Sequence, residues 1–567
     1  MNSARPVWHD LAWLLGIGLL VLAAGLGLRD PWPADEPRFA LIARDMAQGA
    51  SWLVPSVGGD LYQDKPPVFF WAIAACYLLT GSLRAAFLMP ALLAGLLSVA
   101  LVWDLARRLW SREAAWWAGG LLLATVQFLL QARAAQIDGF LLGFTTLSLY
   151  GLARHLLLGP AWGWYTLAGF VAGIGVATKG VGFLPLLMLL PWWGLRRRGF
   201  LPMWTGPAGW RWSLAPLALL VGVGFWLVPM LIAVSLSGDP AQWAYRDEIL
   251  FQQTVQRYAS AWHHHEPPWF FLVEVIPGLW LPGTLLLPWA VSRWRGTWQA
   301  RDPRALLFLA WVVLVVLFFS LSSGKRGVYV LQAVPGFVLA LAPFLPELSA
   351  RAAVRRLLLL VTGSLVLLLG GAALWFATAG RDRWTALLAD NGLPGGVSLL
   401  WPLAAIAVVG VLAMAACRQS RAPLAFALTL WSGLVVQGFW INPLLDEARS
   451  GRGFMARVEA AVPAGSELGL VNYREQFLLQ STRPAVNFGH RRWREGDREP
   501  RDAARWLNER PGRVLLVEQA LLAPCFAESP RQPVGRASRA EWFLVAGPAN
   551  RACALDGNPA AVRRPSP

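Results

Sequence analysis

Residues 357–378 read LLLLVTGSLVLLLGGAALWFAT, 22 residues without a charge, with Arg355 and Arg356 before them and Arg381 after. A helix rises about 1.5 Å per residue, so the run reaches about 33 Å, enough to cross a bilayer's hydrocarbon core of about 30 Å. Similar runs recur along the chain and give about thirteen candidate spans. They centre on 11–28, 85–103, 114–131, 139–153, 163–177, 181–195, 213–235, 270–292, 305–321, 328–346, 357–378, 397–416 and 423–441. Several are short or broken by Gly and Pro. The first, after Arg5, has too long an apolar core for a cleaved signal peptide and is read as a retained helix.

Composition agrees. Of 567 residues, 56% are hydrophobic, 15% are charged and 33 are tryptophan, against roughly 25% charged in soluble chains. The net charge of +17 sits in an apolar sequence, which excludes a hydrophilic nucleic-acid binder. Four cysteines, Cys76, Cys417, Cys525 and Cys553, form no CxxC or Cys/His spacing, which excludes a zinc finger or disulfide scaffold.

Arginines in alternate loops set the orientation. With the N-terminus in the cytoplasm, the inner loops hold Arg107/Arg108/Arg112, Arg154, Arg196/Arg197/Arg198/Arg211, Arg293/Arg295/Arg301/Arg304, Arg351/Arg355/Arg356 and Arg418/Arg421. Residues 1–445 then form a transmembrane domain. Two long outer loops, 29–84 and 236–269, cover its outer face, and the first includes an apolar stretch, Pro66 to Leu79, too short to span. From 446 to 567 the chain turns polar and is expected outside, in the periplasm of a bacterial inner-membrane protein. Short β-like runs at Leu468 to Asn472, Val514 to Val517 and Trp542 to Val545, with an amphipathic helix at Arg501 to Asn508, predict a small α/β domain. Cys525 and Cys553 fall in this outer domain, where a disulfide and two buried thiols are both open.

The chain has only three lysines, Lys65, Lys179 and Lys325, and all three fall in outer loops. An ammonium is a compact point charge suited to phosphate, whereas guanidinium forms planar forks. Carboxylates collect on the same face. Asp35 and Glu36 follow the first span, Asp64 precedes Lys65-Pro66-Pro67, and Asp138 opens the fourth span. Acids beside an apolar slab are costly unless paired or wet. The loop Gln256-Arg257-Tyr258 to His263-His264-His265-Glu266 adds bases and aromatics, and Ser323-Gly324-Lys325-Arg326-Gly327-Val328-Tyr329 adds two cations and a phenol.

In order, Asp35-Glu36-Pro37-Arg38, Asp64-Lys65-Pro66-Pro67, Ala177-Thr178-Lys179-Gly180, Gln256-Arg257-Tyr258 with His264, and Gly324-Lys325 with Tyr329 resemble the motifs of the membrane glycosyltransferase family that includes the lipid A aminoarabinose transferases. The polyprenol-dependent protein mannosyltransferases are wider relatives, and the fold is usually called GT-C. The resemblance runs through essentially the whole chain. It implies transfer of one sugar from a polyprenyl (undecaprenyl) phosphate carrier to lipid A or another envelope acceptor on the periplasmic face. It implies Asp35 and Asp138 as the catalytic acids, and Lys65, Lys179, Arg257, Lys325 and Tyr329 at the carrier phosphate or sugar. Arg38 and Glu36 join the binding set, where they can pair to brace the loop. Asp64 and His264 match positions linked to a divalent metal ion or to loop organisation. The chain departs from the family in Asp64 where Glu is usual and Gln332 where Pro often stands, and its tail differs from the aminoarabinose transferases in detail.

A sugar on a polyprenyl phosphate already carries its leaving group. The site must hold the phosphate with cations, stabilise charge as the bond breaks, and deprotonate the acceptor. Asp35 is the expected base, with Asp138 orienting the acceptor or sharing that role, and direct displacement would invert the anomeric centre. The alternatives are a protein or surface-polysaccharide glycosyltransferase of the same fold and a transporter or flippase. A transporter would place charges at the midplane and show repeats between its halves, whereas these charges cluster at one surface.

Overall fold

The computed structural model describes residues 7–201, 209–250, 265–390, 393, 399–490, 496–554 and 562–563. Each of the thirteen apolar runs contains helix, although several are interrupted, as at 23–28, 123–125 and 280–282. Among the described residues eight helices are long and apolar enough to cross a membrane, ten if each of two bent pairs is one span, against the thirteen spans expected. One pair, Arg112–Leu122 with Val126–Ala132, bends by 66°, and the other, Phe271–Leu279 with Gly283–Gln299, by 103° at Pro282, whose ring cannot continue a regular helix. The first run forms the shorter helix Val7–Leu22, of 16 residues.

Two neighbouring helices carry the centre of the molecule. Ile137–Leu158 and Trp162–Lys179 lie antiparallel, and small residues let their backbones close up: a Cβ on Gly151 would meet the Trp164 carbonyl at 2.6 Å. Gly169 and Gly173 do the same against Leu214–Ser237. In lipid, where burying apolar surface drives helices together weakly, such close approach and its dispersion contacts favour association.

The long loop 29–84 carries two helices that do not span. Glu36–Ala47 begins beside Pro37 and packs through Phe39 on Phe69 and Phe70 of Val68–Thr80, with ring centroids 5.6 and 5.5 Å apart. The latter helix coincides with the apolar stretch too short to span. Between them, β1 (Ser56–Val57) and β2 (Asp60–Leu61) form a small hairpin.

Beyond the last apolar run the helical segment continues to Ala461. A mixed five-stranded sheet follows, in the order β4-β3-β5-β7-β6. Its strands are β3 (Glu467–Leu470), β4 (Ala485–Asn487), β5 (Arg513–Glu518), β6 (Arg531–Ala537) and β7 (Ala540–Ala546). The three β-like runs of the sequence coincide with β3, β5 and β7, and the amphipathic stretch with helix Arg498–Glu509. Cys525 and Cys553 are joined as a disulfide. The face of this unit towards the membrane domain shares one apolar cluster with Phe39, Met46 and Phe70, through Phe454, Phe477 and Trp542.

Candidate active site

Asp35 occupies the N-cap position of Glu36–Ala47, yet its carboxylate makes no capping hydrogen bond. It stands instead between two guanidiniums, Arg38 at 3.6 Å and Arg326 at 3.7 Å. Those separations are ionic contacts rather than hydrogen bonds, so among the described residues the carboxylate keeps lone pairs for an incoming group. Arg326 is exposed, whereas Arg38 is largely covered.

Asp138 lies in the first turn of Ile137–Leu158, and Lys179 is the last residue of Trp162–Lys179. An acid at a helix N-terminus and a cation at a C-terminus both suit the helix dipoles. Antiparallel packing brings the two together as a buried ion pair, Lys179 Nζ on Asp138 Oδ1. The same ammonium lies 4.7 Å from the centre of the Tyr329 ring. Gln332, one helical turn beyond Tyr329, donates to the Asp138 backbone carbonyl at 3.1 Å and accepts from the Thr145 hydroxyl at 2.7 Å. This buried amide ties the segment carrying Tyr329 to the start of the helix carrying Asp138.

Asp64 and Lys65 sit in the bend before Val68–Thr80. Leu61 and Val68, which flank the bend, pack in one cluster with Ala177 and Phe140, each two residues from Lys179 or Asp138. The Asp64 loop therefore borders the ends of both central helices. Burial first, and the neighbouring Asp64 second, push the Glu248 carboxyl above its usual range.

Lys325 is 5% exposed and donates to the Glu266 backbone carbonyl at 2.7 Å, while Gly324 pairs with His265 in a β-bridge. In this arrangement Lys325 holds the end of the loop 236–269, and its neighbour Arg326 reaches Asp35. The proposed Glu36–Arg38 brace is absent. Glu36 is gripped by the Arg29 fork at 2.5 and 2.8 Å and accepts from the Trp32 and Ala135 amides at 3.0 and 3.1 Å. It thus links the Asp35 loop to the segment leading into Asp138. Arg38 pairs with Glu475 at 2.7 Å, because the sheet unit lies within reach of this loop.

Burial opposes the charge of Arg38, but Glu475, Tyr62 and Asp35 together raise its pKa above the ordinary guanidinium value. Burial alone would raise the Glu475 carboxyl; Arg38 and then His490 pull it below its usual range. Nothing in the sequence marked Glu475, since its partner lies 437 positions away. Arg257 and His264 lie outside the described residues. Among the described residues no three His, Cys, Asp or Glu side chains gather as a metal-binding group.

Residues 64–228 match the family described as dolichyl-phosphate-mannose-protein mannosyltransferase. Over 348 residues the chain is 29% identical to the undecaprenyl phosphate-alpha-4-amino-4-deoxy-L-arabinose arabinosyl transferase of Pseudomonas savastanoi pv. phaseolicola, covering 60% of this chain and 62% of that one. The protein of the same description in Pseudomonas aeruginosa strain UCBPP-PA14 is 32% identical over 337 residues, 58% of each chain. The matched region thus spans about three-fifths of the length of these curated relatives. In three dimensions the chain superposes on ArnT from Cupriavidus metallidurans bound to undecaprenyl phosphate with a TM-score of 0.74 at 21% identity, covering 96% of this chain and 100% of that one. The chain has the ArnT fold. The ArnT fold here is mostly helical, with the apolar helices of a multi-pass membrane protein and Asp35, Asp138, Lys179 and Tyr329 at one end of its central helices.

Proposed function

We propose that the chain is a glycosyltransferase that moves one sugar from a polyprenyl (undecaprenyl) phosphate carrier to lipid A or a related envelope acceptor. One observation carries the reading: a carboxylate free of capping duty, Asp35, faces an exposed cation, Arg326, beside the buried Asp138–Lys179 pair and Tyr329. A phosphate entering from the membrane would meet Arg326, Lys65 and the Lys179–Tyr329 edge, with Arg257 added from the second outer loop. These cations take up the charge that develops on the leaving phosphate.

The acceptor hydroxyl attacks the anomeric carbon from the face opposite the carrier. The bond from that carbon to the phosphate oxygen breaks, its electron pair stays on the phosphate, and the hydroxyl proton passes to Asp35. The anomeric centre inverts. Asp138, with its charge fixed by Lys179, orients the acceptor. A divalent ion at Asp64 and His264 is an additional proposal, and the transfer is derived without it.

The proposed orientation places the N-terminus in the cytoplasm and the sheet unit in the periplasm of the inner membrane. It is supported by the arginine-rich alternate loops and by the Cys525–Cys553 disulfide, which suits an oxidising compartment. A protein acceptor is the second reading, favoured by the mannosyltransferase description of the family matching residues 64–228.

The test is transfer by the purified chain from an undecaprenyl-phosphate sugar to lipid A, beside Asp35→Asn. Loss of a general base predicts a fall of about 10²–10⁴ in rate with carrier binding intact. Transfer at the wild-type rate by Asp35→Asn would remove the proposed base.

A further inference from the structure

Ile137–Leu158 leaves the site at Asp138, and its 22 residues carry the chain about 33 Å away. Trp162–Lys179 returns, and the stretch from Leu184 to Arg197 leaves again. The turn at 198–200 therefore stands on the opposite side of the membrane from Asp35 and Lys179. Arg196, Arg197 and Arg198 follow one another there, and Arg301 converges from the next hairpin, its guanidinium 3.7 Å from where a Cβ on Gly199 would sit.

Three of these cations lie over indoles: Arg196 at 5.3 Å from Trp192, Arg197 at 3.6 Å from Trp193 and Arg198 at 5.4 Å from Trp298. Asp302, next to Arg301 in sequence, is engaged by Arg304 at 2.6 Å. Among the described residues, none of Arg196, Arg197, Arg198 and Arg301 forms an ion pair. Four like charges beside one turn repel one another unless an anion joins them.

We infer that this turn binds the phosphate of an anionic phospholipid headgroup in the leaflet opposite the transfer site. Guanidiniums match phosphate oxygens with paired donors, and indoles settle at headgroup depth. Exposed Leu190 and Trp193 beside the cations suit an amphiphile, which brings acyl chains with its phosphate; a free anion would gain nothing from them. The transfer chemistry makes no use of these residues.

The full-length protein in micelles, titrated with phosphatidylglycerol or phosphatidylcholine and read by native mass spectrometry, tests the site. Phosphatidylglycerol is expected to be retained preferentially. With each surface cation worth about fivefold, Arg198→Ala lowers that retention about fivefold and the Arg198→Ala/Arg301→Ala double variant about 25-fold. Arg356→Ala, an exposed arginine outside the cluster, changes it less than twofold, and millimolar inorganic phosphate does not displace the lipid. Unchanged unfolding midpoints keep the comparison among folded proteins; the single variant serves if the double does not fold. Equal retention of phosphatidylcholine, an equal loss in Arg356→Ala, displacement by inorganic phosphate, or full retention by Arg198→Ala in the folded protein would overturn the inference.

Discussion

Lys179 and Asp138 have side chains only 11% and 7% exposed, so neither charge has water to fall back on. Replacing Lys179 by Met, similar in length and uncharged, strands the carboxylate of Asp138. Replacing Asp138 by Asn strands the ammonium beside the face of Tyr329. Breaking a buried pair from one side costs about 3–5 kcal/mol, whereas replacing both partners is close to neutral. The double variant Asp138→Asn/Lys179→Met should therefore recover most of the stability lost by either single change, with a coupling energy of at least about 2 kcal/mol. Reversible unfolding of the four proteins in mixed micelles gives the cycle, and sugar transfer is measured on the same samples. The expected outcome separates fold from chemistry: the double variant is stable and inactive. Additive losses of stability would refute the buried pair, and transfer by the double variant would refute its part in the site.

Three further outcomes follow from other contacts. Asp45, 2% exposed in the loop 29–84, is pushed up to about 6 by burial, against the pull of Arg44. Its ordinary value is 3.8, so the unfolded chain loses this proton first and the fold weakens as pH rises from about 4 to about 6. Asp45→Asn should flatten that window and add up to about 3 kcal/mol above pH 6, read from unfolding curves across pH. The Cys525–Cys553 disulfide closes a loop of 28 residues, so Cys525→Ser/Cys553→Ser should cost the sheet unit about 3–4 kcal/mol, seen as faster proteolysis of the tail with transmembrane helices intact. Glu475→Gln removes the charge opposite Arg38 and should lower transfer while leaving helical content unchanged, as circular dichroism would report.

Much of this was legible in the sequence. The apolar runs could be read because a helix in lipid must satisfy its own backbone and so needs an uninterrupted apolar stretch. The candidate acids and cations could be read because charges are sparse in such a chain, so Asp138 and Lys179 stood out 41 residues apart. Contacts set by tertiary approach could not be read. Glu36 turned to Arg29 and Ala135, Arg38 turned to Glu475, and Lys325 withdrew to the Glu266 carbonyl while Arg326 took its place beside Asp35. In the tail, β4 has three residues, too few for an alternating pattern. β6 is an exposed edge with Pro533 and a register shift before Gly535, and such edges resemble loops in composition.

The central claim is that the site receives a polyprenyl-phosphate sugar. The most direct measurement is mass spectrometry of lipid released from the protein purified from its own membrane, beside Lys179→Met/Asp138→Asn prepared alike. The account predicts a polyprenyl phosphate bearing one sugar on the wild-type chain and little or none on the double variant. Recovery of phospholipid alone from the wild type, together with failure of added undecaprenyl phosphate to bind it, would contradict the account.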